Sequence, residues 1–182
     1  MSIYSRVDFL PKMTRVTAEL AIGPGGDPQW LDTAEMTAWR AYMDGGQRLM
    51  GVLNRDLQDR HDLSMAEYRI LVMLSESIDG SIRMSELADG VLSSRSRLTH
   101  QIRRMELQDM VTRSTCVNDG RGVLAVITEE GRRRLAEAAP THVRGVRQHL
   151  IDILSPHELE VLGDIFEKVD AAMDAAGSTP RR

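Results

Sequence analysis

One stretch of the 182-residue chain changes the spacing of its apolar residues, and this change restricts the folds open to the chain. In "VTRSTCVNDGRGVLAVI", residues 111–127, β-branched residues stand on both sides of a glycine-containing tip, which is typical of a β-hairpin. Before and after this stretch, apolar residues recur at helical spacing. Only 4% of the residues are aromatic, which favours helices packed through aliphatic side chains over a β-sandwich. The sequence therefore predicts a mainly α-helical fold with one small β-hairpin.

Local start and stop signals divide the chain before the hairpin into helices. Asp32 is expected to cap a first long helix, and Ser64 with Glu67 matches the capping-box pattern at the start of a second. A helix of about two turns is predicted for residues 84–89, with Gly90 as its stop. A turn then separates this short helix from the next one.

Two helices are predicted after the hairpin. Thr128 is expected to cap a long helix that reaches toward Leu154, with a kink at Pro140 because proline lacks the amide hydrogen that a helix uses. Ser155 with Glu158 forms another capping box and begins a final helix. The long helix is predicted to bury the apolar residues that recur at near-helical spacing, namely Leu135, Ala139, Val143, Val146, Leu150 and Ile153.

The segment "LSSRSRLTHQIRRM", residues 92–105, has the clearest binding chemistry. Ser93 or Ser94 can cap a helix whose narrow buried stripe consists of Leu98, Ile102 and Met105. At about 100° per residue, the opposite face and its flanks hold almost only hydrogen-bond donors. These donor-bearing residues are Arg95, Ser96, Thr99, His100, Arg103 and Arg104.

Positive charge is concentrated locally in a chain whose formal net charge is -4. Between residues 93 and 121, six arginines stand against three acidic residues, so this region has a local charge of +3. The acidic total argues against indiscriminate binding to polyanions, whereas a local arginine cluster suits a defined, acceptor-rich partner. Because arginine can pair bidentately with a phosphate or with guanine O6 and N7, double-stranded DNA is the predicted partner.

The order of the elements predicts an architecture. A short helix, a turn, a donor-rich helix and a hairpin form the plan of a winged helix-turn-helix, in which the second helix of the pair enters the major groove. Over about residues 32–170 the chain also resembles the MarR family of transcriptional regulators. The segments that carry this resemblance, in order, are "RMSELAD", "SRSRLTHQIRRME", "VNDGRG" and "VITEEG".

The resemblance implies a division of the chain and a mode of action. Residues 1–31, which the prolines and glycines near their end indicate to be an N-terminal extension or linker, depart from the family pattern, and residues 176–182 would be a tail. Residues 32–60 and 129–175 would form a helical dimerisation region, and residues 61–128 a winged helix-turn-helix head. The homodimer would bind a pseudo-palindromic operator, as a repressor that a small, often phenolic or aromatic acid releases from DNA.

Ten residues are predicted to contact DNA. The resemblance implies that Asp119 braces Arg121 as this arginine enters the minor groove at the hairpin tip, the wing. The other eight belong to the donor-rich helix: Ser94, Arg95, Ser96, Arg97, Thr99, His100, Arg103 and Arg104. We expect no catalytic residues, no cofactor and no metal, since His142 and His149 are seven residues apart, about 10.5 Å along a helix.

Several alternatives remain open at this point. A winged-helix module that binds proteins instead of DNA would also suit the acidic total, whereas no nucleophile motif or phosphate loop supports an enzyme. Cys116 is expected to be an inert strand residue, with a redox sensor as the alternative. Several residues of the first helix could line an effector pocket but are predicted to form the helix and dimer core: Met36, Trp39, Tyr42, Met43 and Met50. We expect a cytoplasmic protein without a membrane segment.

Overall fold

The computed structural model of the protein describes residues 30–115 and 122–177, with side chains up to residue 175. In chain order, these residues form α1 (Thr33–His61), α2 (Met65–Glu76), β1 (Ser81–Arg83), α3 (Met84–Gly90), α4 (Arg95–Leu107), β2 (Val111–Thr115), β3 (Val123–Ile127), α5 (Glu129–His149), a 3₁₀ helix (Ile151–Ile153) and α6 (Pro156–Gly177). The predicted fold class, mainly α-helical with a small β-structure, is confirmed.

The β-structure is a three-stranded antiparallel sheet in the order β1-β3-β2. Strands β2 and β3 are the predicted hairpin strands, with Val111 opposite Ile127. Strand β1 pairs with the other edge of β3, placing Ser81 opposite Val126. The sequence did not predict β1, because three residues are too few to show an alternating pattern.

Residues 65–127, from α2 to β3, are called the head below. Its helices and one face of the sheet enclose an aliphatic core. The predicted stripe of α4, Leu98, Ile102 and Met105, lies fully inside this core and is confirmed. The other fully buried aliphatic side chains of the head include Ile70, Leu71, Leu74, Leu87 and Met110.

Both predicted capping boxes are present. At the start of α2, the Glu67 amide donates to Ser64 Oγ at 3.3 Å and the Ser64 amide donates to Glu67 Oε2 at 2.9 Å. At the start of α6, the Glu158 amide donates to Ser155 Oγ at 3.3 Å and the Ser155 amide donates to Glu158 Oε2 at 2.8 Å. These four contacts satisfy backbone amides that the first helical turn leaves free.

Helix α3 ends differently from the prediction. Gly90 is its last helical residue, and the left-handed residue that reverses the chain is Leu92, at φ +52°. The helix therefore ends close to the predicted position, but the residue that reverses the chain is Leu92 and not Gly90. A Cβ on Gly90 would lie 2.2 Å from Cε of Met73, so a larger residue at this position would displace the end of that flexible side chain.

Helix α5 begins at the predicted cap but ends early. The Gly131 amide donates to Thr128 Oγ1 at 3.0 Å, which confirms the N-cap. The prediction that the helix reaches toward Leu154 is wrong, because Leu150 leaves the helical region at φ -138° and a short 3₁₀ helix follows His149. The helix is continuous through Pro140.

The buried face of α5 also corrects the prediction. Its buried residues are small, namely Gly131, Ala138, Thr141 and Gly145, whereas the predicted Val143 is exposed. A Cβ on Gly131 would lie 2.1 Å from the Met110 carbonyl oxygen. Of the other predicted residues, Leu135 and Ala139 are half-buried and pack against the core. Val146 and Leu150 are half-buried, and Ile153 is exposed.

Residues 30–42 and 43–177 belong to two compact units. In the first unit, the Glu35 amide donates to Asp32 Oδ1 at 2.8 Å, which confirms the predicted cap of α1. Trp39 and Tyr42 lie with ring centroids 5.8 Å apart and about half of each side chain exposed. In the second unit, Met50 is also half exposed, so none of these three side chains forms a core within the single chain. None of the helices over residues 30–115 and 122–177 is both long and apolar enough to cross a bilayer.

Candidate nucleic-acid interface

The candidate interface is built on α4, whose start is fixed by a serine cap. The sequence left Ser93 and Ser94 open as caps, and the structure selects Ser94, because its Oγ accepts a hydrogen bond from the Arg97 amide at 3.3 Å. Ser94 Oγ also lies 3.3 Å from Ser96 Oγ. The hydroxyl of Ser93 points inward instead, where it is buried without a hydrogen-bond partner among the described residues.

Core packing determines which face of α4 meets solvent. Because Leu98, Ile102 and Met105 are held inside the head, the opposite face is turned outward. All eight α4 residues predicted to contact DNA are exposed: Ser94, Arg95, Ser96, Arg97, Thr99, His100, Arg103 and Arg104. The structure therefore places these residues together on one exposed, donor-rich face.

The arginines of this face differ in their ion pairs. Within residues 30–115 and 122–177, no carboxylate lies within salt-bridge distance of Arg95 or Arg97. Arg113, on the neighbouring strand β2, donates from Nε to Glu106 Oε1 at 2.9 Å. Hydrogen bonding from the Arg113 side chain lowers the pKa of the Glu106 carboxyl. Of the six arginines counted in the sequence, Arg113 is therefore paired with a carboxylate of the head, whereas Arg95 and Arg97 have no such partner among the described residues.

Arg104 has a partner that sequence reasoning missed. Its Nη2 lies 3.0 Å from Oε1 of Glu67, whose side chain is only 2% exposed, while 65% of the Arg104 side chain remains exposed. The other carboxylate oxygen of Glu67 accepts from the amide and the hydroxyl of Ser64. Each oxygen of this buried carboxylate thus has a donor, as burial of a charge requires. The capping box had marked Glu67 in the sequence, but nothing local indicated Arg104.

The wing tip connects β2 to β3 and falls outside the described residues. The predictions for Asp119 and Arg121, and the interpretation of Cys116, concern residues that lie there. The strands that lead to this tip are described, and one of them, β2, contacts α4.

Two aromatic rings join α5 to the head. Tyr68 of α2 and His142 of α5 lie with ring centroids 4.6 Å apart at an interplanar angle of 42°. Burial raises the pKa of Tyr68 and lowers the pKa of His142. The His142 Nδ1 is buried and has no hydrogen-bond partner in the part of the chain that the structure describes. In that same part, no three His, Cys, Asp or Glu side chains form a metal-binding group.

Helix α6 exposes its apolar side chains. Leu159 and Leu162 are half-buried, and no side chain among residues 156–175 is fully buried. The exposed apolar residues of this helix are Val161, Ile165, Phe166, Val169 and Met173. A stripe of this length on one helix is typical of a surface that associates with another protein chain.

Comparisons with known proteins agree with this arrangement. The chain is 40% identical to AbsC, a MarR family transcriptional regulator from Streptomyces coelicolor, covering 81% of this chain and 99% of that one, with a TM-score of 0.77. The chain belongs to the MarR family. The family profile itself matches residues 63–123. Members of the MarR family are transcriptional regulators, so this protein is a transcriptional regulator and not an enzyme.

Two further relatives are informative. Another MarR family regulator from Streptomyces coelicolor, solved in complex with DNA, is 37% identical, with 86% of this chain and 94% of that chain covered and a TM-score of 0.77. A transcriptional repressor of Bacillus subtilis, YetL, is 22% identical over 147 residues, which is 79% of this chain and 87% of that protein.

Proposed function

We propose that this MarR family regulator is a homodimeric repressor that binds a specific pseudo-palindromic DNA operator. The observation that carries the proposal is the exposed, donor-rich face of α4, where Arg95 and Arg97 have no carboxylate partner among residues 30–115 and 122–177. A second helix of a helix-turn-helix presents such a face to the major groove. Its guanidinium groups match the phosphate oxygens and the acceptors on guanine.

The ten predicted contact residues divide into two roles. Donors near the start of α4, from Ser94 to His100, are proposed to reach base edges and the flanking phosphates, because the N-terminal part of a recognition helix enters the groove. Asp119 and Arg121 are proposed to act at the minor groove. Arg103 and Arg104 lie further along α4, where phosphate contacts that position the head are the expected role.

Dimerisation is proposed to use residues 32–60 and 129–175. The exposed apolar stripe of α6, including Ile165 and Val169, would pack against a second copy of the chain. A two-fold dimer presents two copies of α4, and these would bind half-sites about 34 Å apart, one turn of DNA. Such a geometry requires an operator with inverted half-sites.

A salt-dependent binding assay tests DNA recognition. The wild-type protein is titrated against a duplex that it selects from a random-sequence pool, at 50 and 200 mM salt. With six phosphate contacts per dimer, affinity should fall by about 10³-fold between these conditions. A salt-independent affinity would contradict DNA as the partner.

Matched variants test the face itself. Combining Arg95→Ala with Arg97→Ala should lower operator affinity by about tenfold or more, because two cationic forks are lost from each head. Arg133→Ala is the control: Arg133 is an exposed arginine on α5 whose guanidinium pairs with Glu130 and Glu137. Equal effects of both changes would contradict a role for the α4 face. Arg121→Ala should weaken binding and leave stability unchanged.

Release by a small aromatic acid is the last part of the proposal. It is supported by the buried, unpartnered Nδ1 of His142 beside Tyr68, at the contact between α5 and the head. A ligand that binds a head arrangement unsuited to DNA would shift the dimer away from the operator. Adding 2-hydroxybenzoic acid to the operator complex, with cyclohexanol as a neutral control, tests this step. An unchanged affinity with both compounds would contradict release by this class of acid.

A further inference from the structure

Helices α3 and α4 end with the same backbone motif. At the end of α3, the Ser93 amide donates to the Ala88 carbonyl at 2.9 Å and the Leu92 amide to the Asp89 carbonyl at 3.1 Å. At the end of α4, the Met110 amide donates to Met105 and the Asp109 amide to Glu106, at 2.9 and 3.1 Å. These paired bonds define a Schellman motif, whose reversing residue adopts the left-handed conformation.

The two motifs place different residue types in the left-handed position. Asp109 has φ +54° and Leu92 has φ +52°. Aspartate tolerates this conformation because its short polar side chain can bond locally, whereas leucine meets the full steric penalty between Cβ and the backbone. Only the motif directly before α4 therefore contains a residue unsuited to its backbone.

Packing does not compensate for this strain. The Leu92 side chain is 85% exposed, so its apolar atoms gain almost nothing from the core. The next residue, Ser93, turns inward, and its hydroxyl is buried without a partner among residues 30–115 and 122–177. In a Schellman motif the residue at this second position is the one that usually makes the apolar contact. Here the apolar side chain faces solvent and the polar one faces the core.

The strained turn is held in place by its neighbours. The carbonyl of Gly90 accepts a hydrogen bond from Arg69 Nη2 of α2 at 3.0 Å, and the capped start of α4 follows at Ser94. An unfavourable conformation that its surroundings maintain points to a function of the side chain it presents. Leu92 lies two residues before the cap, at the end of α4 that is proposed to enter the major groove.

We infer that Leu92 is a specificity-determining residue that contacts the C5-methyl group of a thymine in the operator. This inference rests on the proposed DNA-binding function. The thymine methyl is the apolar group that base pairs display in the major groove, and it suits an aliphatic side chain among hydrogen-bond donors. Leu92 would add recognition of the methyl group itself, since the hydrogen-bond donors of the α4 arginines pair with acceptors such as guanine O6 and N7 or thymine O4.

Leu92→Gly tests the inference through two effects of opposite sign. Glycine adopts the left-handed conformation freely, so the thermal midpoint of the variant should rise. Operator affinity should fall by about 15-fold, because the homodimer loses one methyl contact in each of its two heads and each contact is worth about fourfold. Asp109→Gly is the matched control, because it relaxes the same motif at the far end of α4. Its midpoint should rise or stay constant, and its operator affinity should equal that of the wild type.

A change in the DNA identifies the contacted group. Each thymine of the selected duplex is replaced in turn by deoxyuridine, which lacks only the methyl group. For the wild-type protein, replacing one particular thymine of each half-site should lower the affinity about fourfold. For Leu92→Gly, the same replacement should leave the affinity unchanged. Leu107→Ala, which truncates an exposed leucine at the other end of α4, should respond like the wild type.

The outcomes distinguish failure of the Leu92–thymine contact from failure of the proposed DNA-binding function. If Leu92→Gly retains wild-type affinity and the wild-type pattern of deoxyuridine effects, the methyl contact is refuted. An equal loss on operator and unrelated duplexes would also overturn it, since a thymine contact acts only at its site. If Leu92→Gly does not fold, Leu92→Ala gives the same deoxyuridine comparison. Failure of the wild-type protein to bind any duplex, even at 50 mM salt, would instead refute the proposed function.

Discussion

The head and helix α6 contain similar apolar side chains but bury them to different extents. In the head, Leu98 and Ile102 are completely enclosed by the same chain. In α6, Ile165 and Val169 keep 49% and 42% of their surface exposed. Helix α4 of the head and helix α6 each carry an apolar stripe at helical spacing. The stripe itself therefore does not explain why one is buried and the other is exposed.

The α4 stripe is already buried within the single chain, whereas the α6 stripe is still in contact with water. The head buries the apolar stripe of α4 in a core that the same chain completes, with Leu57 and Ala138 contributed from outside the head. Helix α6 can gain the free energy of apolar burial only by associating with another surface. The two regions should therefore respond differently to truncation, to added charge and to protein concentration.

The largest effect is expected from charges on the α6 stripe. Combining Ile165→Glu with Val169→Glu places four carboxylates in the proposed dimer interface and removes four apolar side chains. The loss of half-exposed apolar surface alone should weaken association by about 3–6 kcal/mol. Sedimentation velocity should then show monomers at micromolar concentrations.

The matched control for this change is Glu167→Gln, an exposed polar substitution between the two positions on α6. It should sediment as the wild type does. If the double variant sediments as a dimer, α6 is not the dimerisation surface, and the contrast between the head and α6 needs another explanation.

Truncation in the head should have the next largest effect. Ile102→Ala leaves a cavity in a fully packed core and should lower the free energy of unfolding by about 2–5 kcal/mol. Urea titration at two protein concentrations measures this loss, which should be the same at both. A loss that grows on dilution would mean that the head depends on association as α6 does.

The contact between Arg104 and Glu67 tests how the head holds α4. Arg104→Ala leaves Oε1 of the buried Glu67 carboxylate without its donor and should destabilise the protein by about 1 kcal/mol, since solvent screens much of the pair. Adding Glu67→Gln removes the buried charge, so the double variant should be more stable than the sum of the single changes predicts. Urea unfolding of the three variants measures the coupling, and strict additivity would contradict it.

The smallest effect concerns His142, where α5 meets the head. Burial holds the pKa of His142 below its usual value of about 6.5, so the unfolded chain binds this proton more readily than the folded one. The stability that His142 confers is therefore complete above about pH 6.5 and is lost as the pH falls through the lower folded pKa. His142→Phe keeps a ring beside Tyr68 but should abolish this dependence.

Thermal midpoints of the wild type and of His142→Phe at pH 7.5 and 5.0 provide the check. The wild type should lose more stability than the variant on acidification. His157→Phe, at an exposed position on α6, is the control and should keep the wild-type pH dependence.

The sequence by itself determined the features that depend on neighbouring residues. The capping boxes at Ser64 and Ser155 and the buried stripe of α4 were predicted correctly, because they involve groups within one or two helical turns. The exposed donors of α4 followed from that stripe, since a helix with one buried side must expose the other. Membership of the MarR family also followed from local segments and their order.

Only the tertiary structure decided the features that join distant parts of the chain. Strand β1 exists because Ser81 meets Val126, and Arg104 has a partner because α4 packs beside Glu67. The face that α5 buries depended on how closely Gly131 approaches Met110. In each case the free energy comes from groups far apart in sequence, whose proximity is a consequence of the complete fold. The left-handed Leu92 was hidden for a related reason, because its backbone conformation is imposed by the surrounding helices against its own preference.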